Sequence, residues 1–348
     1  MLASMMPQIL IANQRNGLVL GIVISTVLSS IMTFMFVKAM RRFKNQTVSH
    51  ILLAHVPKWI SIVLIIYLGY MWFIAGGIVL ISFTNLIKRY ILPDMPAQLL
   101  LTILLIAVFW CASQRTRTVM YLLEIILITN IPFILLILYK SVMTDYMNWL
   151  AVWNVVSDYF DRMPNHKVIS AATYLFTGYI NMAVFNKESE GKFRPRLVGL
   201  IPIVGLFALM TTAFVPVGFH GPDGALQYVN VWVSTADSVK IEFGIVERVI
   251  YVFLLLYLNL SLIFATVTWH VGSQIIGDVA KRNWKVHGFG LKIPAVLLTF
   301  ALSTYFVALL ADEKRLMAFA TQWLQLRFWS EIFLVLLVFL LSRKAVAR

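Results

Sequence analysis

Residues that could do chemistry are scarce in this sequence. No Gly-x-Ser-x-Gly nucleophile turn, His-Glu-x-x-His zinc helix or pair of aspartates within one apolar run occurs. The histidines, His50, His55, His166, His220, His270 and His287, never take the i, i+4 spacing that sets two ligands on one helix face. Cys111 is the only cysteine, which excludes an intramolecular disulfide and any zinc or iron–sulfur site built on cysteines. A Gly-rich phosphate loop ending in Lys-Ser or Lys-Thr is also absent. No catalytic residue, metal or cofactor is expected, and an enzyme is the class these patterns fit least.

What remains is polarity inside long apolar runs, where a charge near the middle of a bilayer costs at least about 2.5–3.5 kcal/mol. Three carboxylates qualify. Glu124 stands in Tyr121-Leu-Leu-Glu-Ile with Asn130 and Pro132 further along, and reads either as a proton or cation site or as a structural carboxyl buried between helices. Glu247 adjoins Arg248, and since helical neighbours point about 100° apart, the two engage different helices. Glu331 follows Arg327 at i+4, the spacing of a local ion pair, here expected near the outer interface. The richest neutral polarity lies in Phe176-Thr-Gly-Tyr-Ile-Asn, where Gly178 weakens a helix and Thr177 and Asn181 could satisfy backbone groups freed by a break. A break over Phe176–Tyr179 would expose helix ends to a small ligand. Tyr67, Tyr70, Tyr257, Asn259 and Ser261 on other runs could complete the pocket.

These side chains need elements to position them, and the composition says which. Of 348 residues 60% are apolar and 13% charged, and mean hydropathy is +0.85, far from a soluble domain. Low-charge runs predict nine full spans, approximately Gly17–Lys38, Trp59–Ile87, Ala97–Ser113, Thr118–Tyr139, Val168–Phe185, Leu197–Phe219, Val246–Val271, Gly288–Ala311 and Trp323–Leu341. Met1–Ala12 is too short to cross and reads as a half-span. Asn45–Val56 predicts a short interfacial helix, and Gly17 with Gly21 a close helix contact within the chain. No sequence repeat and no cleavable signal peptide are visible.

The net charge of +14 would suit nucleic acid in a soluble chain. Here the basic residues flank the spans, so the expected partner is the lipid bilayer and not nucleic acid. With the end of the first full span inside, 18 of the 29 Lys and Arg fall on that side and 9 on the other, leaving Arg248 and Arg327 at or within spans. That bias makes the C-terminus cytoplasmic and leaves Ser141–Asn165 and His220–Gly244 outside.

Several segments together resemble the B subunits of bacterial spore germinant receptors. They are the run from Ser234 to Phe253 with Glu247-Arg248, Leu92-Pro-Asp-Met-Pro, Tyr121-Leu-Leu-Glu-Ile-Ile-Leu followed by Pro132, and Tyr174-Leu-Phe-Thr-Gly-Tyr. The likeness runs through essentially the whole chain in order and spacing. It implies an all-α polytopic membrane protein of the amino acid–polyamine–organocation superfamily, a single domain with a LeuT-like five-plus-five inverted repeat. Residues 13–140 would form the first repeat, 167–348 the second, and 1–12 the remnant of a first helix whose inner half is missing, through divergence or a start site assigned too late.

The resemblance further implies a place in the bacterial inner membrane of the spore, partner A and C subunits, and recognition of a small nutrient germinant such as an amino acid. Tyr70, Thr177 and Gly178 match the family's pocket by position, Phe176 and Tyr179 bound the expected break beside them, and Asn259 and Ser261 join them by depth. A proton-coupled secondary transporter of amino acids, with Glu124 or Glu247 as the coupling carboxylate, is the competing expectation. For the orientation, the expected outcome in a Cys111→Ser background is that a membrane-impermeant thiol reagent labels a cysteine at Ser234 and leaves one at Ser189 unlabelled. The opposite pattern inverts the topology.

Overall fold

The computed structural model describes residues 5–188, 198–239, 249–283 and 292–344. Helices follow in the order α1 (Met5–Ala12), α2 (Leu18–Arg42), α3 (Val48–His55), α4 (Lys58–Tyr90), α5 (Ala97–Ala112), α6 (Thr116–Val142), α7 (Trp149–Tyr159) and α8 (His166–Thr173). A 3-10 segment, Tyr174–Asn181, leads into α9 (Met182–Phe185). Then come α10 (Leu200–Gly224), α11 (Val231–Ser238), α12 (Val249–Asn283), α13 (Lys292–Leu310) and α14 (Glu313–Lys344), with no strand among the described residues.

Among the described residues eight helices are long and apolar enough to cross a membrane: α2, α4, α6, the run His166–Glu188, Leu200–Gln227, α12, α13 and α14. Nine were expected. The difference is α5, held to 16 residues by Pro96 before it and the turn at Ser113 after it; at 1.5 Å per residue that is short of a hydrocarbon core of about 30 Å. The last helix is longer than the hydropathy suggested, because Lys314 and Arg315 lie in its first turn. The expected span starts at Leu197, Val246 and Gly288 lie outside the described residues. The stretches Ser141–Asn165 and His220–Gly244 carry the short helices α7 and α11.

Short polar side chains set the element ends. Thr47, Asn148 and Asn165 accept from the amides of His50, Ala151 and Val168, capping α3, α7 and α8. The expected interfacial helix is α3, anchored by Thr47 and Ser49, whose hydroxyls donate to Asp278 of α12 at 3.1 and 2.6 Å. Between α1 and α2 the chain turns at Gly17 in the left-handed region (φ +83°), against the Met163–Pro164 backbone, where a Cβ would lie 2.4 Å from Pro164 N. One turn on, a Cβ at Gly21 would lie 2.5 Å from Val168 Cγ1. The small-residue pair therefore brings α2 onto α8 within the chain. Helix α1, although short, is part of the core, with Met6 and Leu10 fully buried.

The most extensive helix contact joins α4 and α12. Trp269 is fully buried there and donates from Nε1 to the Phe73 carbonyl at 3.2 Å, its ring so close that a Cβ at Gly76 would come within 2.5 Å of it. Next to it His270 is fully buried and ties α12 to the α5–α6 junction. Its Nδ1 donates to the Ala112 carbonyl at 2.8 Å, and Nε2 accepts from the Thr116 hydroxyl at 3.1 Å. At the crossing a Cβ on Gly272 would sit 2.9 Å from the Gly69 carbonyl oxygen. That obstacle is backbone and cannot rotate away. Gly272→Ala should therefore lower stability in a detergent thermal-unfolding assay by about 1–3 kcal/mol, whereas Gly178→Ala, with open space around its position, should leave it unchanged.

Candidate functional site

A cavity of about 490 Å³ lies near the middle of α4, α12 and α14, closed on a further side by the 3-10 segment and by Leu123 and Leu127 of α6. Much of its wall is aliphatic and aromatic. The polar groups on it are Thr177, Asn181, Tyr174, Tyr257, Ser261, Thr268, Ser330, Arg327 and Glu331.

The wall at Thr177-Gly178 departs from α geometry without opening. An unwound break was expected over Phe176–Tyr179. Instead the chain stays helical and tightens to 3-10 winding for eight residues, so its amides and carbonyls remain paired within the segment. The hydroxyls contribute to this: Thr173 donates to the Ser170 carbonyl at 3.2 Å and Thr177 to the Tyr174 carbonyl at 2.9 Å, both three residues back. A 3-10 stretch this long inside a helical run is uncommon and marks strain or a hinge. Gly178 faces the cavity, and a Cβ there would meet nothing within 4 Å.

The residues singled out from the sequence separate into two groups. Thr177, Gly178 and Ser261 line the cavity together, and the Ser261 hydroxyl is buried with no partner. The others lie off the cavity wall. Phe176 turns its ring to Gly205 of α10, so close that a Cβ there would lie 2.0 Å from Cε1. Tyr179 is buried edge-on to Phe36 at 5.6 Å, its hydroxyl buried with no hydrogen-bond partner. Tyr70 is 53% exposed on the outer face of α4, beside Phe73, and Asn259 is half-buried away from the wall. Glu124 is exposed on the outer face of α6, not buried between helices. Its neighbours Leu123 and Leu127 are the ones that reach the cavity. Glu247 lies outside the described residues.

The charged part of the wall went unmarked in the sequence as a site. Arg327 and Glu331 do pair across one turn of α14, and each side chain is only 5% exposed, buried inside the protein. Arg327 Nη1 donates to Glu331 Oε2 at 2.5 Å. Its Nη2 reaches α8, donating to the Ser170 carbonyl at 2.5 Å and the Thr173 hydroxyl at 3.0 Å. The guanidinium also lies over the Tyr174 ring, 5.3 Å from its centroid, a cation–π contact. Arg327 Nε and Trp323 Nε1 are buried without partners. Opposite, Trp72 Nε1 donates to Asn181 Oδ1 at 3.0 Å, and Tyr67 and Ser330 share a hydrogen bond of 2.6 Å. Only the i, i+4 spacing in an apolar helix could have flagged the pair.

A charge left alone at this depth is costly, while an apolar pair of similar volume is not. Arg327→Met is therefore expected to destabilise the protein by about 3–5 kcal/mol, and the double variant Arg327→Met with Glu331→Leu to recover most of that loss in the same thermal-unfolding assay. Equal losses in both would show that the two charges do not depend on each other.

No curated protein matches the chain by sequence. The model of one family does, described as spore germination protein, and it matches residues 5–286. That stretch holds α1 through α12, including four of the walls around the cavity. A polytopic helical membrane protein matched over most of its length in this way belongs to the spore germination protein family.

Proposed function

We propose that the chain is the nutrient-sensing B subunit of a spore germinant receptor. It binds a small germinant such as an amino acid near mid-membrane and signals to A and C subunits to trigger germination. The observation that carries this is the cavity: its volume of about 490 Å³ lies within the ~300–1,000 Å³ of small-molecule sites. It is largely apolar with a few convergent polar groups, and it abuts the 3-10 segment. Its setting is the inner membrane of the spore with a cytoplasmic C-terminus, and its architecture the LeuT-like inverted repeat of residues 13–140 and 167–348.

Signalling of this kind needs only differential affinity for two conformations. Moving a two-state equilibrium from 1:99 to 99:1 takes about 5.5 kcal/mol, which a handful of charge-assisted hydrogen bonds supplies. The competing reading, a proton-coupled transporter of amino acids, also has a specific support: Glu331 is a buried carboxylate on the cavity wall, the place for a coupling group, whereas Glu124 is exposed.

The expected outcome for the purified chain, measured with a radiolabelled mixture of the twenty L-amino acids, is binding in the unaltered protein and after Gly178→Ala. Gly178→Val, which fills the open space beside it, is expected to abolish binding while the protein still inserts. In liposomes with an imposed pH gradient the same mixture should bind without accumulating. Concentrative uptake lost in Glu331→Gln would establish the transporter instead.

A further inference from the structure

We propose that Arg327 and Glu331 are the charged end of a zwitterion site, the guanidinium receiving the carboxylate of an α-amino acid and the Glu331 carboxylate receiving its ammonium, with an apolar side chain in the rest of the cavity. The inference rests on the cavity being the ligand site and assigns the residues that take the two charges of the ligand.

Several independent features carry it. A buried ion pair contributes little stability over well-packed apolar residues of similar volume, and this one stands against an open cavity instead of being enclosed by helices. Its cation is held from behind: Ser170 and Thr173 of α8 and the Tyr174 ring fix the guanidinium, so a ligand meets a donor whose position is already set. Arg327 Nε is buried with no partner, and a carboxylate has acceptor sites enough to satisfy it. Two further buried donors without partners, Ser261 Oγ and Trp323 Nε1, line the same cavity.

Charge balance then selects the class. The pair is neutral as a whole, so a ligand with a net charge would leave one charge uncompensated in a low-dielectric space. A zwitterion presents both signs and leaves the site neutral. Much of the remaining wall is aliphatic, with Leu68, Met71, Val79, Leu260 and Ile263, and suits an apolar side chain.

The test uses the full chain in nanodiscs and isothermal titration calorimetry. The probes are L-leucine, L-leucinamide, 4-methylpentanoate and uncharged 4-methylpentanamide, preceded by a screen of the other L-amino acids and D-glucose. The expected result is that a zwitterion with an apolar side chain binds the unaltered protein. The analogues lacking either charge should bind at least about tenfold more weakly, the loss of one charge-assisted contact. The double variant Arg327→Met with Glu331→Leu should retain its fold by thermal unfolding and lose this discrimination.

Equal affinity for L-leucine and 4-methylpentanamide, or undiminished zwitterion binding in the double variant, overturns the assignment. Because the ligand series runs on the unaltered chain, it decides even if the variants fail to fold. Binding of D-glucose alone overturns the charge assignment and leaves the cavity as the ligand site. If no solute protects a cysteine at Gly178, in a Cys111→Ser background, from a thiol reagent, the cavity reading falls with it.

Discussion

A guanidinium buried among apolar helices has to be met on every side it can be, and the arrangement around Arg327 follows from that demand. One of its partners comes from its own helix and the others from α8. These bonds fasten α14 to the residues that immediately precede the 3-10 segment, and they keep Tyr174 beneath the cation. The cavity is what lies beyond this junction, where α8 tightens and α4 and α12 stand back. In a low-dielectric surround such bonds are strong when made and costly when missing, so the junction is the part of the structure least free to shift.

The opposite wall is fixed by shape instead of charge. Glycines at positions 69, 76 and 272 let α4 and α12 approach until backbone meets backbone and Trp269 fills the gap. His270, one residue further, carries the same helix onto the end of α5. A rigid apolar pair on one side and a polar hub on the other leave the 3-10 segment as the irregular element between them. Sites framed in this way combine positional precision with one adaptable wall.

The spans were legible in the sequence because a charge-free run of the right length has few other uses. Their ends were less so: Lys314 and Arg315 look like loop residues, yet at the start of a long helix they can remain at the level of the headgroups. The weak point of helix geometry at Thr177-Gly178 was also visible. Its form, tightened and not broken, depends on two hydroxyls finding carbonyls three residues back. Glu124 and Tyr70 lie off the cavity wall for a common reason. Each lies one residue from cavity-lining neighbours, Leu123 and Met71, and a single residue turns a side chain by about 100°. Depth can be counted along a sequence, but facing depends on how the helix is rotated against its neighbours, which pairwise packing decides. The Arg327–Glu331 spacing was plain, while its burial depended on α14 beginning as early as Glu313.

The winding of residues 174–181 has a mechanical consequence. A 3-10 helix rises about 2.0 Å and turns about 120° per residue, against 1.5 Å and 100° for an α-helix. Over eight residues the difference amounts to about 4 Å of length and about 160° of rotation between the two windings. Just beyond lies Asn186, whose Nδ2 donates to the carbonyls of Met40, Phe43 and Gln46 at the end of α2. The segment beside the cavity thus holds a stroke of about 4 Å with just under half a turn of rotation, and the far end of α2 is attached to it.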